Sequence, residues 1–154
     1  MKNILLWLLV FNTVNADFIK KENGVVMDSK TKLMWQDNYE NNNNRVKYTD
    51  WENAIKYCEN LTLGDYKDWR LPNINELLSL VDYQYHDPAI NPIFKHTSLY
   101  FYYWSSTTGS RTKDRNAVFR VHFSDGHSVI DAKWINGFVR CVRGGKYIIK
   151  PISK

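Results

Sequence analysis

Two histidines bracket a single turn. His122 and His127 stand on either side of Ser124-Asp125-Gly126. Paired imidazoles can hold a transition metal, but no acidic cluster joins them, and a zinc site takes three or four protein ligands. No metal is expected here. Ser105 and Ser106 follow Trp104. A nucleophilic serine needs a histidine base and an acid to orient it, and neither serine has both nearby in sequence. A triad assembled in space stays open. No pattern calls for a cofactor. The expectation is a chain that binds rather than catalyses, with no catalytic residues.

The thiols are Cys58 and Cys141. Two are too few for a four-cysteine zinc site or a disulfide-dense mini-protein. The reading depends on compartment, which the N-terminus addresses. Met1-Lys2-Asn3 is followed by the unbroken apolar run ILLWLLVF from Ile4 to Phe11, and then by Val14-Asn15-Ala16 with small residues at −3 and −1 of a cut after Ala16. This is the pattern of a secretory signal peptide. A membrane helix is the rival, but eight apolar residues fall well short of the roughly 20 needed to cross a bilayer. No cysteine follows the run to carry a lipid anchor. Removal of Lys2 lowers the formal +5 by one. In an oxidising compartment an even pair is most simply one disulfide, closing a loop of 83 residues. Two free thiols at a redox or metal site is the rival reading, without a CxxC or Cys/His cluster to support it.

Charge gives the remaining chemistry. Residues 17–110 carry 10 basic and 13 acidic groups. Residues 111–143 carry Arg111, Lys113, Arg115, Arg120, Lys133, Arg140 and Arg143 against three aspartates, and Lys146, Lys150 and Lys154 follow. Such a half attracts polyanions through additive, salt-screened contacts, and arginine can clasp sulfate or phosphate with two N–H groups at once. Arg111, Lys113, Arg115, Arg120 and Lys133 are the candidate ligand contacts. Intracellular nucleic acid is a poor partner for an exported chain, and no nucleic-acid fold signature is present.

These residues need a scaffold. The chain of 154 residues is 44% hydrophobic and 24% charged, a globular composition, and suits one domain. A signal peptide over 1–16, a domain over 17–144 and a basic tail over 145–154 are expected, with no membrane span after processing. Gly24–Asp28 and Lys32–Gln36 read as strands around a tight turn. The run NYENNNN at 38–44 reads as a polar loop. Thr49-Asp50-Trp51-Glu52 matches a capping box, and Trp51, Ala54, Ile55, Cys58 and Leu61 follow helical spacing to a stop at Gly64. A second helix starts after Pro72, capped by Asn73 with Glu76 at the third position, and carries Leu77, Leu80 and Val81 inward. Residues 82–99 read as a long loop. Strands follow at 102–106, 117–123, 127–133 and 138–143, with Ala117, Phe119, Val121 and Phe123 on one face. Helices first and antiparallel strands later define an α+β class.

Several motifs then fall in a recognisable order: Val26-Met27-Asp28, Leu33-Met34-Trp35, Tyr57-Cys58, Trp69-Arg70-Leu71-Pro72 with Glu76-Leu77, Tyr103-Trp104-Ser105-Ser106-Thr107, Val121 to Gly126, and Val139-Arg140-Cys141-Val142-Arg143. This ordered set resembles the Lcl C-terminal domain family, named for the C-terminal domain of a collagen-like bacterial adhesin, over residues 24–144. The resemblance implies a C-type-lectin-like fold related to formylglycine-generating enzymes: two helices on a small twisted antiparallel sheet, with long loops. It implies adhesion through sulfated or acidic polysaccharides. A protein-interaction or structural module of the bacterial envelope is the alternative, with the Asn-rich and 82–99 loops as candidate contacts for an envelope protein. The collagen-like stalk is missing. So are the Glu-Pro-Asn or Gln-Pro-Asp loops of calcium-dependent lectins, and the spare cysteines that formylglycine chemistry needs.

Trp69, Arg70, Leu71, Pro72 and Trp104 are expected to be architectural. Trp69 and Leu71 plug the core, Pro72 ends the extended segment, and Arg70 reaches a carboxylate or backbone carbonyls. Trp35, Trp51, Trp69 and Trp104 all fall at core-periodic or family-matching positions, which assigns most of the aromatic excess to the core.

Overall fold

A computed structural model describes residues 18–109 and 116–145. The expected signal peptide, the tail beyond Gly145 and the cations Arg111, Lys113 and Arg115 lie outside the described residues.

The first sheet forms where short apolar segments can close on themselves. Strand β1 (Phe18–Lys20) pairs with β2 (Val25–Asp28), and β2 with β3 (Met34–Gln36), all antiparallel. Asp28 makes the β2–β3 turn: its carboxylate accepts from the Lys30 and Thr31 amides and from the Thr31 hydroxyl at 2.7 Å. The second sheet has the order β4 (Lys47–Thr49), β8 (Gly137–Val139), β5 (Tyr103–Gly109), β6 (Ala117–Val121), β7 (Ser128–Ala132). Its pairings are antiparallel except β5 with β8. The architecture is α+β, as expected.

The last segment departs from the sequence reading. One strand over 138–143 was expected, but the chain splits it. β8 joins the second sheet, and β9 (Val142–Arg143) joins the first sheet beside β3. Arg140 and Cys141 sit at this crossover and are fully buried.

Helix α1 spans Trp51–Glu59 and buries Ala54 and Cys58. Its cap is Asp50, whose carboxylate accepts from the Asn53 amide at 3.0 Å, not Thr49 with Glu52. Thr49 is already extended in β4, opposite Gly137, so the helix begins one residue later than the capping box predicts. The helix also stops at Asn60 rather than Gly64. Gly64, at φ +59°, instead serves a tight turn bridged by Leu63 and Tyr66. The Cys58–Cys141 disulfide is present and ties α1 to the crossover.

Helix α2 (Ile74–Leu78) carries the expected capping box, Asn73 with Glu76. Leu77 and Leu80 pack with Val26, Trp35, Tyr103 and Phe123 in one core. A second core joins Ala54, Cys58, Trp69, Leu71, Trp104 and Val118. The alternation of β6 places Val118 and Val121 on opposite faces as expected, and both are buried, in different cores, so the strand is covered on both faces. The 82–99 segment is a loop as expected, and it contributes Ala89, Ile90 and Phe94 to the interior. In the polar run, Tyr39 is buried and donates to the Val139 carbonyl at 3.1 Å, before a short 3-10 turn over Glu40–Asn42. Among the described residues, no helix is long and apolar enough to cross a membrane.

Candidate functional site

Each member of the tryptophan-led segment is buried or makes an internal contact. Trp69 and Leu71 are buried, and the Trp69 indole donates to the Leu63 carbonyl. Arg70 grips Glu76 with two bonds, at 2.7 and 2.6 Å, and the Gly144 carbonyl at 3.0 Å. The Glu76 bond holds Arg70 in its charged form. The Pro72 carbonyl accepts from the Ser106 amide at 2.7 Å. Trp104 is buried, and its indole donates to the Thr49 carbonyl at 2.8 Å.

The basic residues divide into two kinds. Arg120 is buried, with its guanidinium carbon 4.9 Å from the Tyr102 ring centre and 4.5 Å from that of Trp104, and with Asp131 at 3.1 Å. This corrects its assignment to a surface contact: the alternation placed Arg120 opposite the apolar residues, but that face of β6 is itself covered. Arg140 is buried against Asp37, and Arg143 pairs with Asp68 while lying over the Tyr66 ring. Three of the seven cations counted over 111–143 are therefore already compensated.

Lys133 is different. Its ammonium stands 4.3 Å from the centre of the Trp51 ring. Its amide donates to the Asn116 carbonyl, and its carbonyl accepts from the Trp51 amide, each at 3.1 Å. Gly109, opposite Ala117, and Asn116 are the two anchors of segment 110–115. Arg111 and Arg115 are within two residues of one anchor or the other in sequence, and Lys113 is three from Asn116. The structure thus brings Lys133 to the end of the sheet from which that basic segment departs. Trp134, beside it, is 80% exposed.

A second feature was missed by sequence reasoning. Tyr48 on β4 faces Phe138 on β8, and Phe101 completes a trio of touching rings with centres 5.0, 5.1 and 6.0 Å apart. They floor an open depression of about 790 Å³, with Arg45 and Lys95 among its lining residues. The wall at 95–98 is fixed from behind. Asp37 accepts from the amides of Lys95 (2.8 Å) and His96 (3.0 Å), and Arg140 donates to the His96 carbonyl (2.6 Å) and the Thr97 hydroxyl (3.0 Å). The only sequence signal was the aromatic run Tyr100 to Trp104, and Tyr48 lies too far away along the chain for any periodicity to link them.

The histidines do meet. His122 and His127 stack with ring centres 5.5 Å apart, Tyr102 contacts His127 Nε2 at 2.7 Å, and His127 Nδ1 pairs with Asp125. Burial and the neighbouring His127 push His122 below the usual imidazole range, and the His127 bond draws Asp125 below the usual carboxylate range. This chain of contacts orients a phenol and an imidazole. Among the described residues, no three metal-ligating side chains converge. Ser105 is buried and donates its hydroxyl to the Phe119 carbonyl at 2.7 Å.

The described residues thus form an α+β core with one long-range disulfide and a tryptophan-led segment held by internal contacts. The Lcl C-terminal domain family matches residues 24–143, and the chain belongs to that family. No curated protein matches the chain significantly.

Proposed function

We propose that this chain is an exported, non-enzymatic binding domain, C-type-lectin-like in fold, that engages sulfated or otherwise polyanionic glycans in adhesion. Family membership and the Cys58–Cys141 disulfide support an exported setting. The observation that carries the ligand class is the placement of Lys133. It sits against Asn116, the anchor of the segment bearing Arg111, Lys113 and Arg115, while Arg120, Arg140 and Arg143 are spent on internal pairs. Lys133 has no acidic partner among the described residues, and such a cation is free to exchange counterions for a polyanion, which makes binding salt-dependent.

Titration of the processed protein with heparin at rising salt tests the reading. Binding at low salt that weakens steeply with salt, and that falls further in Arg111→Ala with Arg115→Ala, supports it. Absence of binding at low salt, or binding indifferent to salt and to both substitutions, overturns it. The envelope-protein alternative draws on one observation, the 78% exposure of Tyr83 on the 82–99 loop.

A further inference from the structure

The depression between β4 and the 95–101 segment combines two properties. Its floor is aromatic and open: Tyr48 is 41% and Phe101 46% exposed, and Tyr100 at its edge is 84% exposed. Exposed apolar rings at the bottom of a concavity are costly to leave wet, and contiguous patches of this kind mark binding surfaces. Its charge is also one-sided. Arg45 and Lys95 line it, and no aspartate or glutamate does. The Arg45 guanidinium has no hydrogen-bond or ion-pair partner among the described residues, and the Lys95 ammonium donates only to the Pro92 carbonyl at 2.9 Å, leaving two of its three donors unused.

The site is also rigid. Asp37 and Arg140 hold the 95–98 wall through four hydrogen bonds, and the Ser98 amide donates to the Tyr103 hydroxyl at 2.7 Å. Tyr48 is fixed by its register opposite Phe138. A preformed site loses little entropy on binding.

We infer that this depression is a subsite for one anionic pyranose ring of a glycan, whose C–H face stacks on Tyr48 and Phe101 and whose carboxylate or sulfate is met by Arg45 and Lys95. The inference rests on the proposed glycan function and deepens it. A pyranose has an apolar C–H face and a polar rim, which matches an aromatic floor with cations beside it. A purely apolar peptide would leave both cations unpaired. A flat nucleobase with its phosphate also stacks and pairs, and is treated as an outcome of the test.

The test uses the intact protein, a heparin-derived hexasaccharide, a neutral glucan hexasaccharide and a single-stranded oligonucleotide, with affinities measured at fixed low salt. Three variants are compared: Tyr48→Ala with Phe101→Ala, Arg45→Gln with Lys95→Gln, and Lys133→Gln. The expected result is a tenfold or greater loss of heparin-hexasaccharide affinity in each depression variant, a smaller loss in Lys133→Gln, and weak binding of the neutral glucan. Arg45 and Lys95 are exposed, so their double variant reports on the site even if the aromatic double variant fails to fold. If the wild type binds the hexasaccharide and both depression variants bind equally well while Lys133→Gln is weakened, the subsite is overturned and the glycan function stands. If the wild type binds no anionic glycan, both fall. If the oligonucleotide binds more tightly than the hexasaccharide and loses affinity in the depression variants, the assignment to a sugar is overturned.

Discussion

Arg140 and Asp37 are a buried ion pair 3.4 Å apart, with side chains 0% and 1% exposed. Neither pairs with solvent, and both reach beyond each other. Arg140 also donates to the Gln36 carbonyl, to the His96 carbonyl and to Thr97, and its guanidinium lies 4.7 Å from the centre of the Phe94 ring. Asp37 takes the amides of Lys95 and His96. The pair therefore stands at the point where β3, the β8–β9 crossover and the 82–99 loop converge. Such a pair need not stabilise more than apolar residues of equal volume, but removing one partner strands the other charge without water.

The first prediction follows directly. Asp37→Ala leaves Arg140 uncompensated and frees two amides, so it costs about 3–5 kcal/mol. Urea unfolding measures the loss. Hydrogen exchange at Lys95 and His96 separates it from a general weakening, because those amides lose their acceptor and exchange faster at denaturant concentrations that leave the fold intact. Unchanged protection at both amides sinks the account.

The disulfide gives the second. Cys58 belongs to α1 and Cys141 to the crossover, 83 residues apart. Closing so long a loop restricts the unfolded chain, and removing the bond costs about 2–5 kcal/mol. Cys58→Ala with Cys141→Ala lowers the urea midpoint accordingly. In the wild type, the mass rises by two hydrogens only after reduction and denaturation, since both sulfurs are buried. Free thiols in the folded protein contradict the structure.

The third concerns pH. His122 has a folded pKa below its unfolded value of about 6.5, because burial and then His127 disfavour its charged form, with Arg120 adding to that and Asp125 and Asp87 opposing it. A depressed histidine binds fewer protons folded than unfolded. The stability it supports is present above about pH 6.5 and declines as pH falls from there toward the folded pKa. The urea midpoint therefore drops between about pH 7.5 and 5.5. In His122→Asn the drop is smaller. An equal drop in both proteins assigns the acid sensitivity elsewhere.

How far the sequence foretold this structure depends on whether the determining contact was local. The α2 cap was legible because Asn73 and Glu76 are three residues apart and complete the motif themselves. The Asp28 turn was legible for the same reason. The α1 cap moved from Thr49 to Asp50 because Thr49 was claimed by Gly137, 88 positions away in the chain and on another strand. The split of the last strand has the same origin: 138–143 reads as one strand, and only the positions of two sheets divide it. The basic half misled most. Residue counting treats Arg111 and Arg120 alike, yet Arg120 sits between Tyr102 and Trp104. Period-two alternation had put it on a face assumed to be wet. The aromatic depression left only the run Tyr100 to Trp104 as a local trace, since it is built from segments that meet only in the fold.

The division of the cations supplies the last prediction. Arg120 and Lys133 both lie against aromatic rings, and both were read as ligand contacts, but their surroundings differ. The Arg120 side chain is 2% exposed and pairs with Asp131. Lys133 is half-buried and carries its charge over one ring, Trp51. Arg120→Gln loses two ring contacts and leaves Asp131 unpaired, so it costs about 2–4 kcal/mol of stability, discounted because Asp131 retains access to water. Lys133→Gln loses one partly exposed ring contact, worth about 0.5–1 kcal/mol. Heparin affinity should show the opposite order. At temperatures where both variants remain folded, Arg120→Gln binds like the wild type, because its charge never faced the ligand. Lys133→Gln binds two- to fivefold more weakly, and its affinity depends less steeply on salt. Calorimetric melting and heparin titration on the same two proteins decide the matter. A stable Arg120→Gln that has lost heparin binding would return Arg120 to the surface site, and with it the simple charge count.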